Sequence, residues 1–133
     1  MKPYTRKRAA RNRECREWRR QLIARVGRCE ICGYCPAYRR LLGWELYSLV
    51  VHEIARGPNR EKAQDKRYAT LVICGACHED KVSSKKEWPE ARQLAALKRS
   101  RLADYDLAAY NALVGRGPDR ITESEVDTWT DSL

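Results

Sequence analysis

Leu71-Val-Ile-Cys-Gly-Ala-Cys-His-Glu-Asp80 carries two thiols at the Cys-x-x-Cys spacing, Cys74 and Cys77, with His78 directly behind them. Upstream, Arg28-Cys-Glu-Ile-Cys-Gly33 repeats the spacing at Cys29 and Cys32. Two such pairs give four thiolates, a complete tetrahedral set for zinc with no open position. Two intervening residues form about the shortest loop that turns both sulfurs towards one ion at about 2.3 Å. Gly33 follows the first pair, where such a turn needs a residue that tolerates positive φ. Two disulfides, or simply six buried thiols, are the competing readings, but paired spacing in a chain with no secretory features favours a metal. Cys35 also stands at Cys-x-x-Cys distance from Cys32. The 29/32 pair is preferred because Gly33 follows it and Pro36 begins a new segment. Cys15 lies far from any paired cysteine and reads as a spectator thiol.

Around these knuckles the chain is 133 residues long, with 43% hydrophobic and 34% charged residues, no Phe and one Met. That is one small core with helical extensions, and a core of this size gains from a metal staple. The basic start, Met1-Lys-Pro-Tyr-Thr-Arg-Lys-Arg8, has no apolar run behind it, which argues against a signal peptide, a membrane span or a membrane partner. Unexported cysteines point to the reducing cytoplasm. A formal net charge of +9 suggests a polyanionic partner, most simply nucleic acid and by preference DNA.

In chain order, residues 5–26 read as a long helix with an apolar stripe of Trp18, Leu22, Ile23 and Val26, stopped by Gly27. Its other faces are dense in arginine. Arg8, Arg11, Arg16 and Arg19 are taken as phosphate contacts, because crowded guanidinium groups repel one another unless an anion relieves them. A solvated basic face that only aids solubility is the plainer alternative. Residues 37–44 form a turn or a short helix. A β-branched strand is expected over 46–54, ending near His52, then a polar loop over 55–68 with turn chemistry at Gly57-Pro58-Asn59. A second strand, Thr70–Ile73, leads into the second knuckle, where a helix opens and runs through His78 towards Lys85. Trp88-Pro89 opens the next helix with proline in its first turn, residues 104–114 form another ending at Gly115, and Thr122 with Glu125 makes a capping box for the last. The acidic last helix reads as a packing element. The fold class is therefore helix-rich α+β, divided as a basic helical extension (1–27), a zinc-bound core (28–86) and a C-terminal helical region (87–133).

A Cys-x-x-Cys knuckle, a strand ending in Val51-His-Glu-Ile54, a polar loop, and Leu71-Val-Ile-Cys-Gly-Ala-Cys-His78 together resemble the zinc-stapled, four-cysteine HNH endonucleases over residues 28–85. The resemblance implies a ββα-metal unit, a hairpin and helix held by four cysteines. It also implies a second divalent ion (Mg²⁺, Mn²⁺, Ni²⁺ or Zn²⁺) beside the structural zinc. His52 falls on a position that holds metal in that family. Glu53 falls where a histidine normally serves as general base, and His78 on the helix ligand, with Glu79 or Asp80 as possible added carboxylates. Three positions depart from the family pattern. Val82 occupies the place of a further helical ligand, and Ala69 lies near that of an asparagine that orients the base. Glu53 is a departure too, since a carboxylate with a reference pKa of about 4.3 is a poorer base near neutrality than imidazole. Arg56, Arg60, Lys66 and Arg67 in the loop between the strands would grip flanking phosphates. Metal-assisted phosphodiester hydrolysis is thus the leading expectation. A zinc-binding nucleic-acid module without catalysis is the second, and a protein-interaction scaffold the third.

Overall fold

The computed structural model describes residues 5–35 and 49–133, and the expected turn at 37–44 and the first residues of the 46–54 strand lie outside these. Helix α1, Arg6–Val26, is capped by the Thr5 hydroxyl, which accepts from the Arg8 N–H. It ends at Gly27, whose φ of 69° is the left-handed conformation that a side chain would resist. The expected start and stop are both realised by these caps.

Strands β1, Leu49–Glu53, and β2, Thr70–Cys74, pair antiparallel, with Val51 opposite Val72 and His52 opposite Leu71. Successive side chains on a strand face opposite ways, and here the two faces meet different helices. On one face Val51 and Val72 pack with Leu22 of α1, flanked by Trp18, Ile23 and Val26. This is the stripe the sequence marks. On the other face Leu71 and Ile73 enter the main core with Leu94 and Leu97. All five β2 residues are buried, which suits a run of β-branched and apolar residues covered on both sides.

The segment expected as a polar loop is more ordered than its composition suggests. It holds a 3₁₀ turn at Gly57–Asn59, a short helix α2 at Arg60–Ala63, and a second 3₁₀ turn at Arg67–Ala69. Buried Ala63 and Ala69 anchor it to the core. Helix α3, Gly75–Asp80, opens at the second knuckle but stops short of the expected Lys85. Lys81 and Val82 both donate to the Cys77 carbonyl, so the chain turns away and drives Val82 into the core.

Helix α4, Glu90–Ser100, begins one residue later than expected, with Pro89 as its N-cap, where the missing N–H costs nothing. Helix α5, Leu107–Val114, is capped by Asp106 and closed by Gly115 at φ 69°. Helix α6, Glu123–Thr130, carries the full Thr122–Glu125 capping box. It packs on α4 through Val126, with Lys98 gripping Glu123 and Asp127 at the rim. The main core runs from Cys29 to Val126, so the C-terminal helices share one interior with the knuckles. The architecture is helix-rich α+β around a two-stranded sheet and a four-cysteine cluster. Among the described residues no helix is long and apolar enough to cross a membrane.

Candidate metal centre and histidine cleft

The four thiols of Cys29, Cys32, Cys74 and Cys77 lie within 4.8 Å of one another. Sulfurs at the corners of a zinc tetrahedron stand about 3.8 Å apart, given a Zn–S bond of about 2.3 Å. Cys32 Sγ and Cys74 Sγ are 3.7 Å apart, far beyond a disulfide bond. The donor set and its spacing therefore fit zinc. Cys35 stands outside the cluster, which decides between the two candidate upstream pairs. Cys15 is buried in α1, its thiol 3.8 Å from the Gln64 carbonyl.

The first knuckle owes its shape to Gly33 at φ 80° and to the bonds Gly33 N–H to Cys29 O and Cys29 N–H to Tyr34 O. Burial opposes ionisation of Cys29, but backbone N–H groups led by that of Cys32 hold its pKa below the usual thiol value. Burial and the charge of Cys29 push Cys77 far up. Such thiols cannot all ionise together without a cation among them, and a bound divalent ion supplies that charge.

Between these cysteines lies a clamp that sequence reading missed. Glu30 is wholly buried; its backbone N–H donates to Val72 O, while its carboxylate accepts from Val72 N–H at 2.8 Å and from Arg101 Nε at 2.9 Å. Arg101 also donates to Thr70 O and to Asp104. The first knuckle thus lies along the free edge of β2 with a side chain in place of a third strand. The only prior sign is a glutamate inside a knuckle, which spacing alone treats as filler.

His52 lies on the face of β1 opposite to Val51, and His78 projects from α3 beside it. Their ring centroids are 5.4 Å apart, edge to face. The two line an open cleft of about 340 Å³ with Glu53, Arg56, Arg60, Ser83 and Lys85. So both histidines of the chain, 26 positions apart in sequence, converge. Gln93 of α4, another residue the sequence did not single out, fixes the His52 ring. The Gln93 amide N–H donates to Trp88 O, leaving its oxygen to accept from His52 Nε2 at 2.9 Å. That choice places the His52 proton on Nε2 and leaves Nδ1 a bare lone pair, buried and with no hydrogen-bond partner among the described residues. Burial pushes the His52 pKa down to about 4, helped by the neighbouring His78 and opposed by the Gln93 bond. The ring is neutral at neutral pH.

Glu53 is otherwise engaged. Its neighbour His52 faces α4, so Glu53 faces α1, where Arg19 Nη2 meets its carboxylate at 2.6 Å and Arg60 stands 3.9 Å off. Arg19 also donates to Gln64 O, which makes it a tie between α1 and the sheet. Among the described residues no third His, Cys, Asp or Glu donor joins the two imidazoles. Of the other arginines read as phosphate contacts, Arg8, Arg11 and Arg16 are exposed on α1. Arg56 spends one N–H on Val82 O and turns the rest of its charge to the cleft. Lys66 lies 3.7 Å from Asp65, and Arg67 is exposed away from the cleft. Comparison of the chain with protein-family models, curated proteins and solved structures finds no match.

Proposed function

We propose that this protein binds nucleic acid and hydrolyses a phosphodiester bond in the His52–His78 cleft, while the four-cysteine zinc serves only to hold the fold. The observation that carries the reading is the convergence of the only two histidines on one cleft rimmed by Arg56, Arg60 and Lys85. A divalent ion held by the exposed His78 would stabilise negative charge on the phosphate and the departing oxygen. The chain's own residues do the rest. Arg56, Arg60 and Lys85 receive the phosphate and its neighbours. His52, its ring held by Gln93 through Nε2, takes the proton of the attacking water once Nδ1, buried in the resting cleft, is opened to it. This reassigns the base from Glu53. Glu53 lines the cleft as well, but its carboxylate is already bound to Arg19.

The second reading, a nucleic-acid-binding module without catalysis, is favoured by two facts: among the described residues no third donor clusters with the two imidazoles, and Val82 is turned into the core. Incubation with supercoiled plasmid and Mg²⁺, Mn²⁺ or Ni²⁺ separates the two. We expect metal-dependent nicking that His78→Ala abolishes, with zinc content and circular dichroism unchanged. A wild-type protein that retards the plasmid but never nicks it under any of these metals establishes the second reading instead.

A further inference from the structure

A second basic groove runs beside the end of α1 and shares no residue with the histidine cleft. Arg25, Arg28, Arg67, Ser100 and Leu102 line its main hollow of about 620 Å³. It continues past Arg28 and Ser100 along the first knuckle to Arg99, in a hollow of about 270 Å³. Its acidic groups are already spent. Asp104 is shared between Arg25 and Arg101, and Glu30 is buried against Arg101. Among the described residues no carboxylate pairs with Arg28, Arg67 or Arg99, and all three are exposed. Leu102, at 67% exposure, stands at the edge as an apolar contact.

We propose that this groove takes the sugar–phosphate backbone of a nucleic acid, at a distance from the bond being cut. Three arginines without counter-ions in adjoining hollows repel one another, and a row of phosphates relieves that repulsion. Leu102 suits the apolar edge of a sugar. An acidic protein would match the charge as well, but the open, elongated course of two adjoining hollows favours a linear polyanion. The proposal rests on the nucleic-acid part of the functional reading and not on cleavage.

The test is binding of a fluorescent duplex DNA, and of the duplex RNA of the same sequence, across a salt series with no divalent ion added. Because no cut is measured, failure of the nuclease reading leaves the result intact. Each phosphate contact contributes about 0.9 to the slope of log K against log salt. The Arg28→Gln/Arg99→Gln variant should therefore flatten the slope by about 2 and weaken low-salt binding about tenfold on at least one duplex, with zinc content unchanged. Slopes equal to the parent's on both duplexes overturn the proposal. So does a variant that loses only its binding to polyglutamate, which assigns the groove to an acidic protein.

Discussion

At the scale of the residue, His52 is a ring held on one nitrogen and bare on the other, and its low pKa has a consequence for stability. The unfolded chain takes up the proton near pH 6.5, whereas the folded ring does so only near 4. Between these values the unfolded state binds more protons, so stability falls as pH drops from about 6.5 to 4. The loss from this one group reaches up to about 3 kcal/mol. His78, Glu53, Arg56 and Gln93 are the groups whose charge or hydrogen bond acts on it. The clustered cysteines would also take up protons on acidification if they hold a metal as thiolates, so the measurement is the difference between the parent and His52→Gln in urea denaturation at stepped pH. The parent should lose more stability than the variant over this interval, and parallel curves would show that burial does not depress the ring. Gln93, which sets the tautomer, left only a faint trace in the sequence. It is a polar residue on the helix face of Ala96 and Leu97, and such a residue is buried only when something polar waits for it.

Among the elements, the local ones were legible and the tertiary ones were not. Thr5, Gly27 and the Thr122–Glu125 box mark helix ends because a cap satisfies backbone groups within a few residues of itself. The β-branched runs mark β1 and β2 for a similar reason. The early end of α3 depends on Val82 finding the core, and the ordering of 55–69 depends on Ala63 and Ala69 doing so. Neither is visible in local pattern. The Glu30–Arg101 pair is the extreme case, since 71 positions separate its partners. Both side chains are almost wholly buried, so removing one strands the other. Arg101→Met should cost about 3–5 kcal/mol, read as a lower urea midpoint. Glu30→Gln in the same chain should recover part of that loss, because the uncompensated carboxylate is gone while an amide oxygen can still accept from Val72 N–H. A double variant no more stable than Arg101→Met would mean that the pair matters for shape and not for charge.

For the whole molecule, the four-cysteine cluster was read correctly from spacing, because chelation demands that spacing whatever the surroundings. Structural zinc contributes about 10–16 kcal/mol in apparent binding energy, as much as or more than the 5–15 kcal/mol stability of an ordinary domain. Removing it should therefore unfold the chain and not merely loosen it. A strong zinc chelator should abolish the cooperative thermal transition, and Cys74→Ser should yield an aggregating protein. Cys35→Ser and Cys15→Ser should each keep one zinc per chain by elemental analysis; a stoichiometry below one in Cys35→Ser would mean the wrong upstream pair has been chosen. The division of the chain at residue 87 has no counterpart in the packing. Helix α4 braces His52 from its middle through Gln93, and the residue that caps its end, Arg101, braces the first knuckle. Anything that pried α4 loose, whether a binding partner, a protease or a mutation, would release the His52 ring and the first cysteine knuckle in one motion. The cleft and the four-cysteine cluster therefore share one brace, and losing it loosens both.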